Sequence, residues 1–266
     1  MKPFLKWAGS KYKILDRILT SLPQGKRLIE PFAGSGAVFL NANFETNLIA
    51  DTNADLINLF KLVQSEGADF IDSAALIFND LNNTEDNFYL LREEFNASLD
   101  IRRKAQLFIY LNRHCFNGLC RYNAKGKFNV PFGRYSKPTF PFAELHNFHL
   151  QSQRATFELV DFKTTMAKAE LGDVVYCDPP YAPLTLTANF SDYTMAGFSQ
   201  HDQEELASSA EALTRRGIPV IISNHDTAFT RQIYAGAEIK SFDVQRFISS
   251  DAANRGKAAE LLALYA

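Results

Sequence analysis

The stretch Arg27-Leu28-Ile29-Glu30-Pro31-Phe32-Ala33-Gly34-Ser35-Gly36 decides the fold of this 266-residue chain. Its first four residues predict a short buried strand, and the proline and glycines after them predict a sharp turn. The apolar residues that follow the turn predict the start of a helix. Strand, turn and helix in this order indicate an α/β fold with parallel strands joined by short right-handed crossovers.

The same alternation recurs on either side of a different middle region. Leu48-Ile49-Ala50 predicts a second strand that ends at Asp51, and Asn53 then caps a helix with a single apolar face. Residues 174–177 and 218–222 predict later strands, the second of them after a helix over residues 200–214.

The middle of the chain lacks strand signals. Residues 68–116 read as consecutive helices, and residues 117–140 form a long loop rich in glycine, proline and aromatic residues. A structureless loop of that length is usually functional. We therefore predict an α/β domain over residues 1–55 and 145–266, interrupted by a helical domain over residues 56–144.

Composition excludes several classes of protein. Apolar residues make up 46% of the chain, so a packed core is expected. No apolar run approaches the ~20 residues of a membrane span, and the first residues lack the features of a secretory signal. We expect a cytoplasmic protein, acting as a monomer, with no membrane partner.

The cysteines predict neither a disulfide framework nor a metal centre. There are three, Cys115, Cys120 and Cys177, and an odd, small number fits a reducing compartment. His114 lies beside two of them, but a fourth ligand at zinc spacing is missing. We expect buried cysteines and no metal.

Charge is concentrated locally, although the formal net charge is only −2. Residues 101–137 contain no Asp or Glu, and aromatic residues are interleaved with their basic ones: Arg102, Arg103, Lys104, Arg113, Arg121, Lys125, Lys127, Arg134 and Lys137. Nucleic-acid binding depends on such a local field rather than on the total charge. This stretch predicts contact with nucleic acid.

Two strand ends have the features of a nucleoside-binding site. Gly34 and Gly36 allow a sharp turn and a close approach of the backbone to a ligand. Phe39 stands where a dinucleotide fingerprint has its third glycine, which argues against a nicotinamide cofactor. Asp51 is placed to accept hydrogen bonds from ribose hydroxyls.

A third strand ends in Asp178-Pro179-Pro180-Tyr181. The two prolines fix two φ angles and remove two backbone donors. What remains is a rigid edge with a carboxylate, acceptor carbonyls and an aromatic face. Such an edge suits an exocyclic amine, which has donors to satisfy and a flat ring to stack.

Taken together, the motifs resemble those of the Dam-type DNA adenine methyltransferases over essentially the whole chain. The resemblance rests on residues 4–11 (FLKWAGSK), 30–36 (EPFAGSG), 117–123 (NGLCRYN), 128–133 (FNVPFG) and 178–181 (DPPY). Their order is that of the alpha group of the family. The resemblance implies a Rossmann-like class I methyltransferase sheet with a helical DNA-recognition insertion.

The resemblance also implies a reaction and a set of cofactor contacts. The reaction would be transfer of a methyl group from S-adenosylmethionine to N6 of adenine in double-stranded DNA, within GATC, after base flipping. Asp178 and the Pro179 carbonyl would accept from the adenine amine, and Tyr181 would stack on the base. The residues assigned to the cofactor are Trp7, Lys11, Glu30, Phe32, Ala33, Gly34, Ser35, Gly36, Asp51 and Asp178.

A further set of residues would contact DNA. Lys6 would read the first guanine, Arg121 a later guanine, and Leu119 and Pro131 would lie near thymine methyl groups. Phe116 and Asn117 would enter the base stack, and Asn123 and Tyr135 complete the set. Phe116 stands where the family has tyrosine, and Ser10 replaces a family glycine, where it could cap the following helix.

Other functions remain open from the sequence. N4-cytosine methylation uses a similar amine-binding edge, and RNA or a protein amide could also be the substrate. A DNA-binding regulator that has lost catalysis is a further alternative, which the intact 178–181 motif opposes. The basic stretch favours duplex DNA.

Overall fold

The computed structural model describes residues 1–182, 198–245 and 257–266 of the chain. Its helices are α1 Leu15–Ser21, α2 Ala54–Glu66, α3 Ala68–Ala75, α4 Glu85–Ala97, α5 Ile101–His114, α6 Phe142–Ser152, α7 Phe162–Ala167, α8 Gln200–Thr214 and α9 Ala228–Ile233. Its strands are β1 Arg27–Glu30, β2 Thr46–Asp51, β3 Ala155–Leu159, β4 Asp173–Cys177, β5 Val220–His225, β6 Glu238–Gln245 and β7 Lys257–Tyr265. This alternation confirms the predicted α/β class.

The chain divides into two compact units. Unit 1 comprises Met1–Leu15, Gly34–Asn43 and Asp51–Leu159, and unit 2 comprises Asp16–Ala33, Phe44–Ala50 and Val160–Ala266. The N-terminal segment and the glycine turn thus fall in the same unit as the helical middle of the chain. The predicted domain boundaries at residues 56 and 144 stay a prediction.

Unit 2 contains the four parallel strands that the sequence predicted, β1, β2, β4 and β5, and also β6 and β7, which it did not predict. Within this unit the strand order is β2-β1-β4-β5-β7-β6. β1 pairs in parallel with β2 and β4, β4 pairs in parallel with β5, and β7 is antiparallel to β5 and β6. The carboxyl ends of β1, β2, β4 and β5 therefore lie along one edge, where open α/β sheets bind ligands.

The core of unit 2 explains why these strands are continuous apolar runs. Ile29, Val175 and Ile222 are buried on three neighbouring strands and belong to one cluster with Leu206 and Leu213 of α8. Strands buried on both faces lack the polar alternation of exposed sheets. α8 begins where predicted because Ser199 and Asp202 form a reciprocal capping box.

Unit 1 is built from the consecutive helices α2 to α6, with β3 after them, as the lack of strand signals before β3 predicted. Asn53 caps α2 by accepting from the backbone N–H of Leu56, and Asp100 caps α5 in the same way. Rings pack at centroid distances between 4.7 and 6.0 Å in a core of Phe4, Phe39, Phe60, Phe148 and Phe157. Such contacts contribute about 0.5–1.5 kcal/mol per pair beyond the area they bury.

The predicted long loop contains an ordered hairpin over residues 115–133. Cys115 bridges to Phe132 and Tyr122 to Phe128, both antiparallel. At the tip, the Asn123 side chain accepts from the backbone N–H groups of Lys125 and Lys127 at 2.9 and 3.1 Å. The expectation of a structureless loop is wrong here, because side chains supply much of the bonding that a regular ladder would provide.

Two other local expectations differ from the structure. Residues 37–42 form turns rather than a helix, because hydrogen bonds of three- and four-residue spacing are mixed there. β5 begins two residues later than predicted, at Val220, and continues beyond the predicted end through Ser223, Asn224 and His225. These polar residues stay in the strand because each pairs with a residue of β7.

Membrane and metal features were searched within the described ranges. None of the helices there has both the length and the apolar character that crossing a bilayer requires. In the same part of the chain, no group of three or more His, Cys, Asp or Glu residues is arranged to hold a metal ion. Cys115 and Cys177 are buried, and Cys120 is partly buried.

Candidate active site

The glycine turn in unit 1 lies against the indole of Trp7. Gly34 has φ +48°, and a Cβ built there would lie 3.2 Å from Trp7 Nε1. Gly36 has φ +72°, and its Cβ would lie 2.5 Å from the Phe39 ring. Both positions therefore require glycine for conformation and for space, which explains the predicted turn in physical terms.

Asp51 accepts hydrogen bonds from two backbone N–H groups of unit 1. Its Oδ2 accepts from Gly34 at 3.2 Å and its Oδ1 from Asn53 at 2.9 Å. Burial raises the pKa of the Asp51 carboxyl, and the backbone donors partly oppose that shift. The carboxylate is thus held in a defined orientation beside the glycine turn.

Ser10 joins the N-terminal segment to the same turn. Its hydroxyl lies 2.9 Å from the hydroxyl of Ser35, which is 4% exposed. Ser10 makes no side-chain capping bond to the short 3-10 helix that follows, so the expected cap is not formed. The neighbouring Lys11 is buried, and its ammonium donates to the Gly9 carbonyl at 2.7 Å.

In unit 2, the end of β1 provides three more of the predicted cofactor residues. Glu30 is 2% exposed at the last position of the strand. Phe32 stacks on Phe162 with a centroid distance of 5.7 Å. The backbone N–H of Ala33 donates to the Ala50 carbonyl at the end of β2.

The loop of residues 178–181 follows β4 in unit 2 and is held by β5. The Ser223 hydroxyl donates to Asp178 Oδ1 at 2.9 Å, and it accepts from the Tyr176 hydroxyl at 3.1 Å. Pro179 is buried, whereas Pro180 is exposed. Asp178 therefore lies at the carboxyl edge of the sheet with its orientation fixed by a neighbouring strand.

Tyr181 closes this loop through both its ring and its hydroxyl. The ring meets the His225 ring edge-on at a centroid distance of 4.7 Å. The hydroxyl donates to Glu260 Oε2 at 3.1 Å, and burial raises its pKa. The sequence suggested a stacking ring alone, and the hydrogen bond of the hydroxyl adds a second function for this side chain.

The predicted first-guanine residue, Lys6, packs under the 115–133 hairpin of unit 1. A Cβ at Gly118, which has φ +62°, would lie 2.5 Å from the Lys6 stem. The Lys6 ammonium lies 4.4 Å from the centroid of the Tyr135 ring. Burial lowers the pKa of Lys6, and the charge of Arg113 lowers it further.

Phe116 and Asn117 are exposed at the surface of unit 1. Phe116 is 50% exposed and therefore lies outside the core. Asn117 has φ 54°, a conformation that asparagine tolerates better than most residues. Its backbone N–H donates to the Tyr135 hydroxyl at 3.0 Å. This hydrogen bond fixes the segment that carries Phe116 and Asn117 relative to Tyr135, which is also a predicted DNA contact.

Arg121 is held by the opposite side of the hairpin rather than projecting freely. Its Nε donates to Asn129 Oδ1 at 2.8 Å, and one terminal nitrogen donates to the Asn129 carbonyl at 3.2 Å. Leu119 is partly buried, while Asn123 and Pro131 are exposed. All eight predicted DNA-contacting residues are thus at least partly accessible within unit 1: Lys6, Phe116, Asn117, Leu119, Arg121, Asn123, Pro131 and Tyr135.

Comparison with known proteins supplies the family. Residues 7–248 match the D12 class of N6 adenine-specific DNA methyltransferases. A DNA adenine methylase of Serratia marcescens is 53% identical over 265 residues, covering 99% of this chain and 98% of that protein. DNA adenine methylases of Escherichia coli K12 and Vibrio cholerae are 50% and 48% identical, with 99% of this chain covered in each case and 95% and 96% of those proteins.

The chain belongs to the D12 class. It is therefore a DNA adenine methyltransferase, which confirms the predicted family, enzyme class and α/β methyltransferase fold. The N6 specificity of the class favours the adenine prediction over the N4-cytosine alternative. The individual site residues and the sequence specificity stay predictions.

In this D12 enzyme, sequence reasoning missed the residues that brace the 178–181 loop. The Asn224 side chain accepts from the backbone N–H of Ala182 at 3.0 Å and donates to Gln203 Oε1 at 2.9 Å. Gln203 in turn donates to the Pro180 carbonyl at 2.7 Å. The sequence did contain a signal for these residues. Ser223, Asn224 and His225 follow a buried apolar run, which is the pattern that identified Asp51 as a candidate site residue.

The basic stretch of the D12 enzyme is less positive than its sequence indicates. Remote acids of unit 1 form ion pairs with four of its nine cations: Arg102 with Glu66, Arg103 with Glu94, Lys104 with Asp55 and Arg134 with Glu85. Arg113 donates to the Phe4 carbonyl. Lys125, Lys127 and Lys137 are exposed. The cations suited to phosphate contact are therefore concentrated on the hairpin and just after it.

Proposed function

We propose that this enzyme transfers the methyl group of S-adenosylmethionine to N6 of adenine in GATC sites of double-stranded DNA, with the target base flipped out of the duplex. The observation that carries the proposal is the 178–181 loop. Ser223 fixes the Asp178 carboxylate at the edge of the sheet, next to a proline pair without backbone donors. That arrangement is suited to an amine donor and a flat ring.

The residues of unit 1 fit a nucleoside cofactor. Gly34 and Gly36 leave space that a Cβ would fill, and Asp51 offers a carboxylate that is already oriented by two backbone donors. We assign Asp51 to the ribose hydroxyls and the Trp7 ring and Lys11 to the same ligand. When bound, S-adenosylmethionine supplies an electrophilic methyl group on a sulfonium.

The unit 2 residues act on the amine. The lone pair of the adenine amine is delocalised into the ring, so the nitrogen is a poor nucleophile. Asp178 and the Pro179 carbonyl accept its two N–H groups and thereby favour a tetrahedral nitrogen with a localised lone pair. Positioning and electrostatics then supply most of the acceleration, and Asp178 takes the proton that the nitrogen loses.

Tyr181 and the hairpin hold the DNA in the reactive arrangement. Tyr181 stacks on the flipped base, while Phe116 and Asn117 occupy the gap that the base leaves in the stack. Lys6 reads the first guanine and Arg121 a later one, whose O6 and N7 its planar fork can bind together. Leu119 and Pro131 contact thymine methyl groups. Support for these assignments comes from the exposure of Phe116 and Asn117 and from the common location in unit 1.

Tritium transfer from labelled S-adenosylmethionine to duplex oligonucleotides tests this function. We expect incorporation into a GATC duplex, recovery of the label as N6-methyladenine, and a loss of at least tenfold in kcat/KM when either guanine is replaced. Label recovered as N4-methylcytosine would overturn the target base. Equal rates on GATC and on all singly substituted sites would overturn the recognition sequence but leave the family unchanged.

A further inference from the structure

Arg121 is flanked by two contacts to the beginning of α2, all within unit 1. On one side, Asn53 Nδ2 lies 3.7 Å from Cys120 Sγ. On the other side, the Tyr122 hydroxyl donates to Asp55 Oδ2 at 2.7 Å. The hairpin segment that carries Arg121 is therefore attached to the first turn of a helix that begins just after Asp51.

The Tyr122 contact is the stronger of the two. Asp55 is largely buried, and its Oδ1 also lies 2.7 Å from the ammonium of Lys104. Hydrogen bonds to charged groups contribute more than neutral ones, whereas a thiol is a weak partner. Burial raises the pKa of Tyr122, so its hydroxyl stays protonated and keeps donating.

The helix end connects this contact to the glycine turn. Asn53 caps α2 and donates its backbone N–H to Asp51, which also accepts from Gly34. A displacement of Asp51 would consequently displace the first turn of α2, and with it Asp55. The glycine turn and Tyr122 are thus connected by direct hydrogen bonds and one turn of α2.

We propose that Tyr122 is a positioning residue. Through Asp55 it fixes the backbone beside Arg121 to the start of α2, and so links the reading of one guanine to the Asp51 end of the cofactor site. The link rests on the proposed roles of Arg121 and Asp51. It predicts that cofactor binding orders the hairpin, and that removal of the Tyr122 hydroxyl abolishes this effect of the cofactor on the hairpin.

Hydrogen–deuterium exchange tests the link without DNA or turnover, with S-adenosylhomocysteine as the probe. In the wild-type enzyme the probe should slow amide exchange in peptides over residues 119–129, and Tyr122→Phe should abolish that effect. Tyr110→Phe is the matched control, because it removes another hydroxyl bond of unit 1, to the Asn82 carbonyl. Retained slowing in Tyr122→Phe, or none in the wild type, would overturn the link.

Methylation assays then separate positioning from simple destabilisation. Tyr122→Phe should reduce discrimination at the guanine assigned to Arg121 by about tenfold, because a hydrogen bond to a charged group is lost. Discrimination at the guanine assigned to Lys6 should change less than twofold. In an Asp55→Ala background, Tyr122→Phe should add nothing further. An equal loss of kcat/KM on every site in Tyr122→Phe would show a structural role only.

Arg121→Ala separates this inference from the proposed function. If that substitution lowers kcat/KM equally on all sites, the proposed reading of a guanine by Arg121 fails. The exchange experiment still decides whether cofactor binding orders the hairpin through Tyr122.

Discussion

The 178–181 loop of unit 2 and the 115–133 hairpin of unit 1 are held in different ways. The loop is bound along its whole length by side chains of β5, α8 and β7. The hairpin is bound at its base and middle, while its tip residues Lys125 and Lys127 are exposed. Contacts along its full length hold the 178–181 loop in one geometry, which methyl transfer requires. The exposed tip of the hairpin can instead adjust its side chains to the DNA backbone.

This difference predicts opposite consequences for substitutions in the two regions. Changes in the loop should lower turnover on every DNA sequence. Changes to the hairpin residues that read bases, or that hold those residues in place, should alter which sequences are methylated and leave the maximal rate largely intact. The following experiments test that contrast, beginning with the largest effect.

Asp178→Ala should reduce kcat by about 10²–10³-fold, since it removes an oriented acceptor from the reacting amine. The fold should persist, because Asp178 is only partly buried at a strand end. Single-turnover methylation measures the loss, and circular dichroism checks the fold. Turnover within tenfold of wild type would remove Asp178 from the reaction.

Asn224→Ala and Asn96→Ala form a matched pair, because each asparagine holds the backbone of one region. Asn224 holds Ala182, and Asn96 exchanges two hydrogen bonds with the backbone of Phe128 at 3.1 and 2.8 Å. Each substitution leaves polar groups unsatisfied, at a cost of about 1–3 kcal/mol. Asn224→Ala should lower kcat on all sites by about 10–100-fold. Asn96→Ala should instead lower discrimination between sites, and the same outcome for both variants would refute the contrast.

Tyr181→Ala should cost about 1–3 kcal/mol in base stacking, seen as a loss of about 5- to 150-fold in kcat/KM. Tyr181→Phe keeps the ring but loses the bond to Glu260, so it should retain most activity with a smaller defect. Fluorescence of 2-aminopurine at the target position reports flipping directly. Should both variants lose activity equally, the hydroxyl rather than the ring would be the essential group.

Arg121→Ala should cost about 1–3 kcal/mol on the preferred site, and much less on a site already altered at the guanine it reads. Lys127→Ala, at the exposed tip, should lower kcat/KM on all sequences nearly equally and by a smaller amount. The measurement is kcat/KM on GATC and on each singly substituted duplex. A uniform loss in Arg121→Ala would make this residue a backbone contact instead.

The sequence was most informative where local signals were sufficient. The strand over residues 27–30 and the helix over residues 200–214 agree with the structure in their bounds, since a buried run and a capping box are local features. The family was also accessible, because its motifs are short and contiguous.

The sequence was least informative where distant residues meet. The ion-pair partners of Arg102, Arg103 and Lys104 lie on α2 and α4, so the basic stretch looked more exposed in the sequence than it is in the structure. The contacts of Asn129 with Arg121 and of Asn224 with Ala182 join segments whose proximity only the fold establishes. Order in the hairpin depends on such bonds, which is why the sequence predicted a loop.

The ion pairs of α5 also affect how the enzyme should respond to salt. Each phosphate that a cation neutralises releases condensed counterions, and log Kobs falls with log[salt] by about 0.9 per contact on duplex DNA. Arg102, Arg103 and Lys104 are already neutralised by carboxylates. We therefore expect the hairpin lysines and Lys137 to contribute to the slope of log Kobs against log[salt], and these three residues not to contribute. The salt dependence of DNA binding should then be shallower than the number of basic residues in the stretch would give.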